Sequence, residues 1–218
     1  MSEQERSTKG RRYEMRKRAD QVDGTRQRIV EAASHLHATV GPARTTIAGI
    51  AEQAGVTRLT VYRHFPEEAD LYSACSAHWQ ANQQLPDPKA WSKVSDPNGR
   101  LRLGLSDIYR FYRDGADMLL RIYRDKDVLP DGLRRTLQDR DGYFRDVLLE
   151  PFSDRRDDQT LRAIIGHAVS FWTWHSLCRQ NGLSEDRAVE AMVTLVAAVP
   201  EGQHAATHRR ATPTSTGL

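Results

Sequence analysis

Residues 45–65 read TTIAGIAEQAGVTRLTVYRHF, and this pattern predicts two short helices joined by a tight turn. Ala51 is small where the two helices must cross closely, and Gly55 supplies the backbone freedom that a tight turn requires. The apolar side chains of the stretch fall on one inner face: Ile50, Val56, Val61 and Phe65. The stretch therefore predicts a helix-turn-helix.

The outer face of the second predicted helix carries side chains of the types that bind nucleic acid. These outward or terminal positions are Thr57, Arg58, Leu59, Thr60, Tyr62 and His64. Arg58 can contact guanine O6 and N7 with two hydrogen bonds, and Leu59 can meet a thymine methyl group. A recognition helix needs such a face in the major groove of DNA.

Helical periodicity continues on both sides of this stretch. A first helix is predicted from near Asp23 or Thr25 to Gly41, and a fourth from a first turn at Pro66 to about Trp79. A linker rich in proline follows. The predicted rear helices lie at 100–124 with a break at Gly115, around 130–137, around 144–148, at 161–178 and from about 184.

The predicted fold class is all-α, because no run of alternating β-branched residues suggests a sheet. We expect four segments: a basic disordered arm at 1–19, a helix-turn-helix domain at 20–79, a helical bundle at 80–200 and a disordered tail at 201–218.

Charge is concentrated at the front of the 218-residue chain, whose net charge is +3. Residues 1–66 hold 12 lysines and arginines against 7 acidic residues, and the remainder holds 20 against 22. A basic front and a near-neutral back favour a nucleic-acid-binding unit joined to a second unit. For the arm alone, a solvated tail is an equal alternative.

Composition and motifs exclude several classes of protein. No apolar stretch approaches the length of a membrane span, and the charged N-terminus does not resemble a signal peptide. The two cysteines, Cys75 and Cys178, lie far apart and favour a reducing cytoplasm over a disulfide scaffold or a cysteine-rich zinc site. Because nucleotide-binding, hydrolase and metalloprotease motifs are missing, we expect no enzyme, no cofactor and no metal.

The run from Thr45 to Trp79, with AGVTRLTVYRHFPEEADLY at its centre, resembles the DNA-binding domain of the tetracycline-repressor (TetR) family. The resemblance covers roughly residues 23–79 and is most specific at Tyr62-x-His64-Phe65. It implies a DNA-contacting set: Thr45, Thr46, Thr57, Arg58, Leu59, Thr60, Tyr62 and His64. Within this set, Thr46 would cap a helix and touch a phosphate, and Tyr62 and His64 would hold phosphates.

One position departs from the family pattern. Family members commonly carry a lysine two or three residues after the Phe-Pro step, whereas this chain has Glu67 and Glu68. Their carboxylates would repel a phosphate, although acids also suit the first turn of a helix. The basic arm would offset this repulsion by reaching along the DNA backbone or into the minor groove.

For the rear of the chain, the resemblance implies a homodimer whose bundle binds a small-molecule effector. Six candidates for a ligand pocket follow, with plain core packing the favoured alternative for each: Tyr109, Tyr112, Tyr123, Phe144, Trp172 and His175. The function implied is a repressor that a small molecule releases from its DNA operator. An activator of the same fold, a DNA-binding protein of low specificity and a small-molecule enzyme or carrier are the alternatives.

Overall fold

The computed structural model describes residues 22–155 and 157–200, and within these ranges it is helical without a strand. The all-α prediction is confirmed. The predicted arm at 1–19 and tail at 201–218 lie outside the described residues. The helices are α1 (22–39), α2 (Ile47–Ala54), α3 (Arg58–His64), α4 (Glu68–Ala81), α5 (Pro88–Trp91), α6 (Pro97–Asp114), α7 (Ala116–Arg124), α8 (Asp131–Leu149), α9 (Gln159–Ala168), α10 (Phe171–Trp174) and α11 (Glu185–Ala197).

Helices α1 to α4 share one small apolar core, which we call the front core. It draws on α1 through Ile29 and Ala33, on α2 through Ile50, and on α3 through Val61. Phe65, which follows α3, closes this core and is 3% exposed. Small side chains let these helices approach closely. Helix α3 packs on this core through its inner face, and its outer face is free.

The remaining helices surround a second and larger core, the rear core. Helix α6 contributes most of its length to it, with Leu101, Leu105 and Ile108 fully buried. Helices α8 and α11 pack against α6, and α9 packs against α8 and α11. The break between α6 and α7 falls at Gly115, as the sequence predicts. No helix in the described ranges is long and apolar enough to cross a membrane.

The long helix predicted at 161–178 is wrong, because the chain breaks between α9 and α10. At the break, the Tyr109 hydroxyl donates to the carbonyl of Ala168 at 2.9 Å, and the Tyr112 hydroxyl donates to that of Val169 at 2.8 Å. Ser170 then caps α10. Two buried tyrosines therefore satisfy the carbonyls of the helix end inside the core. Beyond α10 the chain continues as a π-helix at His175–Gln180.

Two other predicted boundaries are also wrong. The separate helices expected around 130–137 and 144–148 form the single helix α8, because Arg140 and Asp141 turn inward and pair with Tyr123. Helix α4 begins at Glu68 rather than at Pro66, with Glu67 as its N-cap residue.

Candidate nucleic-acid interface

Two threonines and one glycine fix the geometry of the helix-turn-helix. The Thr46 hydroxyl accepts a hydrogen bond from the Gly49 amide at 3.1 Å and caps α2. Gly55 ends α2 in the left-handed conformation, at φ 65°, which a residue with a Cβ rarely adopts. Thr57 then caps α3 by accepting from the Thr60 amide at 3.2 Å.

The outer face of α3 is open to solvent. Leu59 is 77% exposed and Tyr62 is 52% exposed, although both are large and partly apolar. Arg58 is exposed beside them, and within the described ranges the structure shows no hydrogen bond or ion pair to it. An exposed leucine, tyrosine and unpaired arginine on one short helix form a surface that can meet base edges and phosphates.

The four threonines predicted to contact DNA differ in their exposure to solvent. Thr46 and Thr57 are exposed at the starts of α2 and α3, where a backbone phosphate can approach the free amides of the helix ends. Thr60 is half-buried, with its hydroxyl 3.0 Å from that of Thr57. Thr45 is also half-buried and donates to the Gly41 carbonyl at 2.9 Å, so its donor is used within the chain.

His64 lies at the end of α3 near two arginines. Desolvation first, and then the neighbouring cations Arg63 and Arg26, lower the pKa of the His64 imidazole below its usual value. At neutral pH a neutral His64 can donate one hydrogen bond to a phosphate but adds no positive charge. The charge at this end of α3 therefore comes from the arginines.

Arg26 and Arg63 were missed by the sequence reasoning. The guanidinium of Arg26, on α1, lies 4.5 Å from the centroid of the Phe65 ring, which places a cation next to the end of α3. Arg63 is exposed on α3 itself. The helical spacing of Arg63 relative to buried Val61 was the available signal, whereas the approach of Arg26 depends on how α1 packs.

A set of contacts joins the end of α1 to α7, and we call it the α1–α7 clamp. Arg121 Nε donates to the Thr39 carbonyl at 2.8 Å, and Arg124 Nη2 donates to the Val40 carbonyl at 3.2 Å. Asp125 Oδ2 accepts from the Ala43 amide at 3.1 Å. Guanidinium groups of α7 thus satisfy carbonyls that the end of α1 leaves unpaired.

The six predicted pocket residues lie in different environments. Tyr109 and Tyr112 are fully buried, and their hydroxyls are used at the α9 end. Phe144 packs edge-on against Trp91 at 5.3 Å between ring centroids. Tyr123 stacks on Phe171 at 4.8 Å. Trp172, which is 45% exposed, and half-buried His175 lie at the surface beside each other.

An apolar cavity lies elsewhere, between α1, α4, α7 and α8. It is lined by residues that include Trp79, Ile122, Leu137 and Arg140, and by none of the six candidates. The ligand role of those six stays a prediction. Among the described residues, no group of three or more histidine, cysteine or acidic side chains is arranged to hold a metal ion.

The fold and the α3 surface define an all-helical protein with an N-terminal helix-turn-helix. Residues 29–75 match the family model described as bacterial regulatory proteins, tetR family. The match covers the helix-turn-helix part of the chain, which is therefore similar to the N-terminal region of that family.

Curated relatives are transcriptional regulators rather than enzymes. The chain is 36% identical over 97 residues to the HTH-type transcriptional regulator TtgR of Pseudomonas putida, covering 44% of this chain and 46% of TtgR. It is 40% identical over 58 residues to the regulator AcrR of Shigella flexneri, covering 27% of each chain. The chain thus spans less than half the length of either relative.

Solved structures share the fold over most of the chain. A TetR-like transcriptional regulator from Rhodococcus sp. RHA1 aligns with a TM-score of 0.56 and 19% identity, covering 79% of this chain and 93% of that one. A TetR-family regulator from Bordetella parapertussis 12822 aligns with a TM-score of 0.53 and 20% identity, covering 79% and 94%. At these identities the likeness concerns the fold.

Proposed function

We propose that this protein is a homodimeric transcriptional repressor that a small molecule releases from its DNA operator. The observation that carries the proposal is the exposed face of α3, where Arg58, Leu59 and Tyr62 stand free of partners that would bury them. Leu59 is 77% exposed beside Arg58, and a thymine methyl group is a suitable contact for its side chain.

In this proposal the contacts divide by chemistry. Arg58 and Leu59 contact base edges in the major groove and select the sequence. Thr46, Thr57 and Tyr62 contact phosphates and set the register of α3 on the duplex. Arg26 and Arg63 supply positive charge at the end of α3 opposite its cap.

Release depends on the distance between two copies of α3. Dimeric helix-turn-helix proteins bind half-sites about one helical turn apart. After a small change in that distance, only one of the two recognition helices can enter the major groove at its half-site. The α1–α7 clamp supports this part of the proposal, because a movement of α7 would displace the carbonyl end of α1. An effector that binds the displaced arrangement more tightly would weaken operator binding. The factor by which affinity falls measures the coupling free energy between the effector site and the DNA-binding surface.

The proposal is tested by footprinting the full chain on the DNA upstream of its own gene and by titrating the protected duplex at several salt concentrations. We expect a protected palindromic site, with two half-sites about one turn apart, bound at least a hundredfold more tightly than an unrelated duplex of equal length. Equal affinity for both duplexes at every salt concentration would instead identify a DNA-binding protein of low specificity. Absence of any protected site, at this position or in a genomic selection, would overturn the proposal.

A further inference from the structure

The cavity between α1, α4, α7 and α8 is small and is shared by the front and rear parts of the molecule. His37 on α1 and Tyr72 and Trp79 on α4 form one side, and Ile122 on α7 and Leu137 on α8 form the other. About 60 Å³ is open to the centre of a water-sized sphere. That space holds roughly four to six waters, whereas a benzene ring occupies a cavity of about 150 Å³, so a ring enters only if the walls move apart.

The wall of this cavity is uncharged at neutral pH except at one point. Burial lowers the pKa of His37 to about 4, and it raises the pKa of Tyr72 to about 12 and that of Cys75 to about 11. His37 stacks on Tyr72 with 4.9 Å between ring centroids. These groups therefore present neutral, largely apolar surface to an occupant, and such surface favours an aromatic ring.

Arg140 is the charged group on the wall, and part of its guanidinium is unused. Its Nε and Nη2 donate to Asp141 Oδ1 at 3.1 and 2.9 Å, and Nη2 also donates to the Tyr123 hydroxyl. Within the described ranges, no acceptor bonds to Nη1. Two N–H groups are left to bind an acceptor, while Asp141 already balances the positive charge.

We propose that this cavity binds an uncharged single-ring aromatic molecule that carries one hydrogen-bond acceptor, which Arg140 Nη1 engages while the ring packs between Trp79 and Leu137. An anion is disfavoured, because with Asp141 in place it would leave a net negative charge at a partly buried site. Binding can be tested without DNA, and only its regulatory consequence rests on the proposed function.

The regulatory consequence follows from the position of α7. This helix carries Ile122 on the cavity wall and Arg121 and Arg124 in the α1–α7 clamp. A ring that enters a space of this size pushes α7 away from α4, since protein interiors have few spare voids. The clamp then moves the carbonyl end of α1, and we expect operator affinity to fall.

Three probes of similar size separate the possibilities: acetophenone carries a carbonyl acceptor, ethylbenzene carries none, and benzoate is an anion. Isothermal titration calorimetry on the full chain should show acetophenone binding at least tenfold more tightly than either ethylbenzene or benzoate. Tighter binding of benzoate would overturn the neutral specificity. Equal affinities for acetophenone and ethylbenzene would overturn the role of Arg140, and no heat from any probe up to its solubility limit would overturn the site.

Variants locate the binding. Leu137→Trp fills the cavity and should weaken acetophenone and ethylbenzene at least tenfold, whereas Leu103→Trp, at an exposed leucine of α6, should leave both unchanged. Arg140→Lys keeps a cation beside Asp141 but loses the guanidinium fork, so the preference for acetophenone over ethylbenzene should fall below twofold. Equal effects of the two tryptophan variants would place the binding elsewhere.

A final titration separates this site from the proposed function. Operator affinity of the full chain is measured with and without saturating acetophenone, in the wild type and in Leu137→Trp. A loss of at least fivefold in the wild type alone supports the link between cavity and α3. Probe binding with unchanged operator affinity would overturn regulation and leave the site, whereas operator binding without probe binding would overturn the site and leave the DNA-binding function.

Discussion

The front and rear cores differ in the kinds of side chain that they bury. The front core is built from apolar side chains, many of them alanines, with Phe65 as its one aromatic ring. The rear core encloses Trp91 and Trp174 together with Tyr109 and Tyr112, whose hydroxyls bond to carbonyls inside it. The front core is packed by apolar side chains, whereas the rear core also uses buried polar groups to fix where its helices end.

Arg100 shows how far the rear core depends on inward polar groups. It lies at the start of α6, is 5% exposed and donates to the carbonyls of Ser92, Val94 and Val147. It also pairs with Glu150 at 2.6 Å. One guanidinium therefore ties the start of α6 to α8 and to the loop after α5.

The largest effect is expected from Arg100→Leu, which should lower the free energy of unfolding by about 3 kcal/mol, because three carbonyls and one carboxylate lose their donor. Urea unfolding followed by circular dichroism measures it. The matched control is Arg102→Leu, two residues along α6, where an exposed pair with Glu190 should contribute little, because solvent screens it. Similar losses in both variants would contradict the view that the rear core depends on buried donors.

His37, where the two cores meet, gives the second prediction. Its folded pKa of about 4 lies below the usual 6.5, so the unfolded chain binds the proton more readily. The contribution of neutral His37 to stability is complete above pH 6.5 and is lost as pH falls towards 4, with a slope of about 1.4 kcal/mol per pH unit.

His37→Phe keeps an aromatic ring beside Tyr72 and should remove that slope from the unfolding free energy, measured between pH 7 and 4.5. His35→Phe, at an exposed position on the same helix, is the control and should retain the slope. If the wild type and His37→Phe lose stability in parallel over this range, burial does not hold His37 neutral.

The third prediction concerns the outer surface of the front part. Arg58→Ala should weaken operator binding by about 1–3 kcal/mol and relax the preference at one base pair in each half-site. Because Arg58 is exposed, the free energy of unfolding should change by no more than about 0.5 kcal/mol. Competition titrations with single-base variants of the operator measure the preference, and equal weakening on operator and random duplex would assign Arg58 to phosphate contacts instead.

The helix-turn-helix was predictable because its signals are local. Thr46, Gly55 and Thr57 act on backbone groups within a few residues, and Val61 and Phe65 follow the helical period. The exposure of Leu59 follows from the same period. Here sequence spacing and spatial arrangement are nearly equivalent, so reasoning along the chain was sufficient.

The rear part was less predictable, because its decisive contacts join distant residues. The end of α9 depends on Tyr109 and Tyr112, which are more than fifty positions away. The sequence predicts two helices separated around Arg140, whereas this stretch continues α8 and pairs with Tyr123 on another helix. Periodicity alone carries no information about such partners.

The smallest effect is expected at Glu68, in the first turn of α4, where the front surface presents a carboxylate instead of a cation. Glu68→Lys should tighten binding several-fold at low salt, and by the same factor on operator and unrelated duplex, because a phosphate contact carries no base information. The gain should shrink as salt rises. Measurements of duplex affinity between low and physiological salt test this directly.

Asp139→Lys, at an exposed position of α8, is the matched control, since it changes the net charge of the chain by the same amount away from the front surface. If both variants tighten binding equally, the effect is one of overall charge, and residue 68 does not contact a phosphate of the DNA backbone. A loss of affinity in Glu68→Lys has a different cause, because a cation in the first turn opposes the helix dipole by about 0.3–1 kcal/mol and can loosen α4. Urea unfolding of the same variant separates that loss from a change at the DNA, since only the former lowers the free energy of unfolding.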